Sequence, residues 1–191
     1  MNQRIEIVPY QERWAEEFLE IAGRLRAGLG GLAVRIDHIG STSVPGLAAK
    51  DIIDIQITVS DLSEEVIQTM AGLGYTRHPI IHRDHPIPGF QGPDTEWEKF
   101  LFEPLAGQRK TNTHMRALGR ANQRYALLFR DYLRSHSPTA QAYAELKRRL
   151  AASLPDRKLY PEVKDPAVDL IYFAAEEWAA VNGWQPGPSD A

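Results

Sequence analysis

Cysteine is absent from the 191 residues, which excludes disulfides, thiolate metal sites and thiol nucleophiles together and suits a reducing compartment. No segment approaches the roughly 20 consecutive apolar residues that a membrane-crossing helix needs. The opening Met1-Asn2-Gln3-Arg4-Ile5-Glu6 lacks the apolar stretch of a secretory leader, so export is not expected and the chain is placed in the cytoplasm. Positive charge is not in excess either: 22 lysines and arginines face 25 acids, for a net charge of -3. The field of the whole molecule therefore does not favour non-specific binding to nucleic-acid phosphates, and only a local basic cleft is left for anions. No internal repeat is visible. What remains is ordinary for a globular chain, 43% hydrophobic and 25% charged, long enough for one substantial core with a helical appendage.

Residues 4–8 alternate as a short strand or extended lead-in that Pro9-Tyr10 breaks. From Glu12 to about Leu29, Trp14, Phe18, Ile21, Leu25 and Leu29 recur at three- and four-residue intervals, the stripe of an amphipathic helix, which Gly30-Gly31 ends. Ala33 to Ile39 reads as a strand running into the turn Gly40-Ser41-Thr42-Ser43. Residues 52–59 are β-branched with period two: Ile53, Ile55, Ile57 and Val59 form an apolar face, and Ile52, Asp54, Gln56 and Thr58 a polar one. A helix over 62–72, capped by Asp61 or Ser63, precedes a strand at 74–77. The proline-rich stretch 78–95 is expected to be a long loop and a candidate lid. Trp97–Glu103 and Lys110–Leu118 predict an antiparallel pair in which Asn112, His114 and Arg116 share one face. Helices are expected over 121–135, 138–153 and 164–181, with Pro138 near a helix start. The predicted organisation is an α/β core over 1–118, a helical C-terminal part over 119–182 packed on it, and a flexible, frayed tail over 183–191.

The chemistry-bearing unit is strand, turn, strand. Gly40 lets the backbone approach a phosphate, Ser41 and Ser43 add hydroxyl donors, and Asp54 is suited to a divalent cation that neutralises phosphate oxygens. Magnesium fits oxygen-only ligands of this kind. The string His38-Ile39-Gly40-Ser41-Thr42-Ser43-Val44-Pro45-Gly46-Leu47-Ala48-Ala49-Lys50, followed by Ile52-Ile53-Asp54-Ile55, closely resembles the GrpB family, a group of nucleotidyltransferase-like proteins. Val8-Pro9-Tyr10 with Trp14, Phe129 to Arg134, Tyr143 to Lys147, and Tyr160 with Lys164 carry the resemblance along most of the chain. It implies a nucleotidyltransferase-like mixed sheet flanked by helices, with a helical C-terminal part; members also occur fused to dephospho-coenzyme A kinase. Against the family pattern, Gln56 stands where working nucleotidyltransferases present a second carboxylate on the same strand face. Asn112-Thr113-His114-Met115 stands for a strand that usually carries two histidines, and Asp51 replaces a frequent proline. A third acid would come from Glu98 or Glu103.

The expected site therefore comprises Asp54 and His114 as catalytic groups. Gly40, Ser41, Ser43, Lys50 and Arg116 are expected to bind nucleotide, and Asp54 and Gln56 to hold Mg2+. His78, His82 and His85 with Asp84 match no regular metal-ligand spacing and are read as loop residues. Arg130, Arg134, Lys147, Arg148 and Arg149 give the helical part a basic edge that amphipathic helices ordinarily present to water. Tyr125, Leu128, Phe129 and Tyr132 recur as core positions. Two readings follow: a metal-dependent nucleotidyltransferase-like protein that binds a nucleoside triphosphate and serves an unknown acceptor, or a catalytically inactive nucleotide-binding or regulatory module of the same fold. A third, an interaction partner acting through its helical half, would bind neither nucleotide nor metal.

Overall fold

The computed structural model describes residues 5–154, 156 and 158–191; Arg4, the first residue of the expected lead-in, lies outside them. Among the described residues five strands form one mixed sheet in the order β1-β2-β5-β4-β3. They are β1 (Ala33–Ile39), β2 (Ile53–Val59), β3 (Tyr75–Arg77), β4 (Phe100–Pro104) and β5 (Thr111–Ala117). β2 runs parallel to β5 and antiparallel to β1, while β4 is antiparallel to both β5 and β3. The α-helices of the described residues flank the sheet: α1 (Arg13–Leu29), α2 (Glu64–Gly72), α3 (Ala121–Ser135), α4 (Ser137–Ser153) and α5 (Leu159–Asn182). The architecture is α+β, with the last three helices consecutive. Before α1 there is no strand among the described residues, only a bridge between Val8 and Ala49.

Two apolar clusters divide the molecule at the sheet. On one face, Trp14, Phe18, Ile21, Leu25 and Leu29 of α1 pack on Ile53, Ile55, Ile57 and Val59 of β2, all buried. Burying that much branched and aromatic surface supplies the main stabilisation of this layer, at about 25 cal/mol per Å² of apolar area. On the other face, α3, α4 and α5 close over Val44, Leu47 and Ala48, the segment that follows the Gly-Ser turn. The polar face of β2 is thereby covered rather than solvated: Gln56 and Thr58 are fully buried. Parity along the strand reveals its two faces but not that helices from the far end of the chain will cover the polar one.

α5 begins five residues earlier than its periodicity suggests, because Pro161 falls in the first turn, where the missing N–H matters little, and Pro166 is tolerated inside. The terminal residues, expected to fray, lie along the outer edge of β1. Ser189 accepts from the Ile36 N–H at 2.8 Å, the Asp190 carboxylate accepts from the His38 N–H at 2.9 Å, and the Ala191 N–H donates to the Ile36 carbonyl at 3.2 Å. An edge strand exposes a row of unpaired backbone groups; here the tail takes them up. The same Asp190 carboxylate accepts at 2.8 Å from the guanidinium of Arg130, which is only 3% exposed. Asp190→Ala leaves that buried cation short of a partner, and urea denaturation is expected to register a loss of about 1–3 kcal/mol. A change within 0.5 kcal/mol would mean that the tail is frayed in solution.

Candidate functional site

The turn after β1 is built around a conformation that only glycine adopts comfortably. Gly40 has φ 67° and ψ -169°, a region nearly closed to other residues. A Cβ placed there would stand 2.3 Å from Oδ2 of Asp54 and 2.9 Å from its Cβ. The backbone and the Asp54 carboxylate are thus in direct contact. The Ser43 hydroxyl donates back to the Gly40 carbonyl at 2.6 Å, so Ser43 is turned inward to hold the loop, while Gly40 and Ser41 line a cleft with Lys50 and Asp54.

The cleft has an inner chamber of about 220 Å³ opening onto an outer one of about 510 Å³, a size range in which small ligands are held. Charged residues lining the inner chamber are one carboxylate, Asp54, and three amines, Lys50, Lys147 and Lys164. Asp54 accepts from the Asn112 side-chain amide at 2.8 Å. Burial pushes its carboxyl above the ordinary range, opposed by Asn112 and by Lys50, Lys164 and Lys147. Lys147, on α4, donates to the Ser41 hydroxyl at 2.8 Å and to the Ala48 carbonyl at 2.6 Å. Burial, then repulsion from Lys164, brings its ammonium down to about 7 against the attraction of Asp54. Lys164, on α5, also lies 3.2 Å from Asp165. Tyr160 lines both chambers; its hydroxyl is buried, kept protonated by that burial, and has no hydrogen-bond partner among the described residues.

Two positions further along β2 the polar face is locked instead of open. Parallel pairing sets Asp54 beside Asn112 and Gln56 beside His114. The Gln56 amide donates to the Gln123 carbonyl at 3.1 Å and accepts from Arg116 at 2.6 Å. The Arg116 guanidinium also grips Asp84 of the long loop at 2.8 Å, and Lys99 reaches the same carboxylate at 2.5 Å. Despite burial, Arg116 and Lys99 hold the Asp84 carboxyl far below its usual range. His114 Nδ1 lies 3.2 Å from the Lys99 amine, and burial, Lys99 and Arg116 push the imidazole well below its ordinary value. Of the expected site, the structure gathers Gly40, Ser41, Lys50 and Asp54 in the inner chamber, and places His114 and Arg116 at the wall of the outer one. Ser43 holds the turn and Gln56 the Arg116 network. Glu98 pairs with Arg120, and neither it nor Glu103 lines the cleft.

Sequence reading did not single out Lys147 and Lys164 as a pair at Asp54, although both stand among the residues that carry the family resemblance. Arg130 and Arg134 of the presumed solvent-facing edge donate instead to the His38 and Ser43 carbonyls, at 3.1 and 3.0 Å. Tyr125 and Phe129 serve both as packing and as cleft wall, with Trp97, whose indole N–H has no partner among the described residues. The loop over 78–95 is fastened to the segment 97–101 by the His78 and Asp84 amides, which donate to the Leu101 and Trp97 carbonyls, and by the Lys99 amide, which donates to the His82 carbonyl; it brings Ile81, Arg83, Asp84 and His85 to the outer chamber.

A magnesium ion held by the protein alone does not fit these donors. Asp54 is a lone carboxylate, the Gln56 amide is engaged at both ends, and amines occupy the surroundings where further negative ligands would stand. Among the described residues no group of three or more acids and histidines is placed to hold a metal, and no helix is long and apolar enough to cross a membrane.

Comparison with known proteins gives a consistent family. The sequence profile of GrpB protein matches residues 4–173. A dephospho-CoA kinase of Mycolicibacterium paratuberculosis is 34% identical over 197 residues, covering 95% of this chain and 48% of the relative. The UPF0157 protein YqkA of Bacillus subtilis is 35% identical over 180 residues, covering 93% and 49%. The chain thus spans about half the length of these relatives. The crystal structure of the conserved protein GrpB from Enterococcus faecalis superposes with a TM-score of 0.72 at 29% identity, covering 91% of this chain and 99% of that one.

Two histidines withdrawn from water, His38 buried and His114 half-buried, fix a pH dependence. Burial, followed by Arg134 and Arg130, lowers His38 to about 3, and His114 is also well below the ordinary value. In the unfolded chain both take up a proton near pH 6.5. Their folded values are depressed, so their contribution is complete above about pH 6.5 and is lost as pH falls toward the folded values, by about 1.4 kcal/mol per pH unit per histidine. Urea denaturation between pH 7.5 and 5 is expected to show this decline, and His114→Gln to remove about half of the slope. A flat profile would contradict the burial of neutral imidazoles.

Proposed function

The chain belongs to the GrpB family, and on that premise we propose that it is a nucleotidyltransferase-like protein whose cleft binds a nucleoside triphosphate through its own cations. The observation that carries this reading is the inner chamber, where three lysines and a single carboxylate are the charged lining. Such a chamber is short of negative charge, which a polyphosphate supplies. The outer chamber fits the remainder of a nucleotide. Trp97, Tyr125, Phe129 and Tyr160 give it aromatic walls, against which a base stacks. Lys50 and Lys164 neutralise the phosphate oxygens, and Ser41 faces them from the turn.

Asp54 in this reading tempers the positive potential and holds the turn and Asn112; it does not anchor an ion. A thermal-shift screen of nucleoside triphosphates separates this from the metal-dependent alternative, because a ligand that prefers the native state raises its apparent stability. A triphosphate is expected to raise Tm in the presence of EDTA. Asp54→Asn, nearly isosteric, removes the one negative charge and is expected to tighten binding by about tenfold, a term of about 1.4 kcal/mol at an effective dielectric near 20. Loss of the shift in EDTA or in Asp54→Asn would instead favour an ion bridging Asp54 and the phosphates, the arrangement of a metal-dependent nucleotidyltransferase.

A further inference from the structure

Ser41 has a front and a back. In front it lines the inner chamber and is partly exposed. Behind it stands the Lys147 amine at 2.8 Å, in a residue only 3% exposed. Nothing about binding a phosphate requires a buried amine behind the hydroxyl rather than one beside it. The Ala48 carbonyl takes one N–H of that amine at 2.6 Å, and the Tyr143 ring lies beneath it, 4.6 Å from Nζ. These two contacts fix Nζ, so that when the amine is neutral its lone pair is available to the Ser41 hydroxyl. Of the titratable groups around it, Lys164, Arg148 and Lys50 disfavour its protonation and Asp54 favours it, with burial the largest influence. At an ammonium pKa of about 7, a substantial share is neutral under physiological conditions. A serine hydroxyl is a poor nucleophile until such a base sits within hydrogen-bonding reach. The turn that carries Ser41 is held from both sides, by Ser43 on the Gly40 carbonyl and by Arg134 on the Ser43 carbonyl.

Resting on the triphosphate reading of the cleft, we propose that Ser41 is itself a nucleotidyl acceptor, with Lys147 as its general base. The Ser41 Oγ attacks the α-phosphorus of a bound nucleoside triphosphate, and an Oγ–P bond forms as the bond between that phosphorus and the bridging oxygen of pyrophosphate breaks. The hydroxyl proton passes to Nζ of Lys147, and pyrophosphate leaves with the bonding electron pair. The product is a phosphodiester between Ser41 and a nucleoside, and Lys50 and Lys164 face the charge that develops on the departing pyrophosphate.

The test is to incubate the full chain at pH 8 with the four ribonucleoside triphosphates, with and without magnesium chloride, and to follow intact mass, peptide maps and released pyrophosphate. The expected result is a gain of one nucleoside monophosphate on the peptide that contains Ser41, with one equivalent of pyrophosphate. Ser41→Ala is expected to lose the adduct even at triphosphate concentrations high enough to restore a thermal shift. Lys147→Arg, which keeps a cation but no base at this pH, is expected to slow adduct formation at least about 100-fold. The wild-type rate should rise with pH through an apparent pKa near 7, set by Lys147. Absence of an adduct while the thermal shift persists, or an adduct that survives Ser41→Ala, would overturn the proposal alone. Absence of both adduct and shift in the wild type would overturn the triphosphate reading with it.

Discussion

A carboxylate pressed against a backbone with no room for a Cβ governs this structure. Asp54 touches Gly40 so closely that alanine at position 40 would overlap its Oδ2, and the backbone there lies where only glycine is at ease. This contact sets the direction in which the chain leaves β1. It turns Ser41 toward the chamber and Ser43 back into the loop. The helical half then fastens the same segment with cations, Arg130 on the His38 carbonyl, Arg134 on Ser43 and Lys147 on Ala48. The helices are therefore part of the site, because they satisfy the carbonyls that the sharp turn would otherwise leave buried and unpaired.

The polar face of β2 is divided within two residues. At Asp54 and Asn112 it opens on the cleft, while at Gln56 and His114 it joins a closed network with Arg116, Asp84, Lys99 and Asn122. The guanidinium and the Lys99 amine share one nearby carboxylate, and that carboxylate comes from the long loop. A neutral amide at position 56 completes the Arg116 fork and leaves Asp84 as the counter-charge. The network therefore anchors the loop to the sheet, and the outer chamber owes its wall to it.

Where periodicity speaks about local structure, the sequence was a good guide. The stripe of α1 and the alternation of β2 correspond to burial in the folded chain, and Asn112, His114 and Arg116 follow one another along the wall of the cleft. The signature from His38 to Asp54 located the turn and its lone carboxylate. Less legible was what long-range pairing decides. Parity placed Gln56 and Arg116 on polar faces, but only the parallel register of β2 with β5 makes them partners. Lys147 meets Ser41 across 106 positions, and no spacing rule links them; their common signal was the family resemblance. The tail, rich in proline and glycine, had the composition of a frayed end, yet its partners are edge groups of β1 and a buried arginine, which composition does not report.

In the proposed reading the cations of the cleft hold a triphosphate without a resident ion. Isothermal titration calorimetry of the wild-type chain with a nucleoside triphosphate in excess EDTA tests it most directly, repeated at rising ionic strength. Saturable binding at one site per chain is expected, with affinity that falls as salt screens the lysines. No heat of binding in EDTA, with binding restored by magnesium, would contradict it.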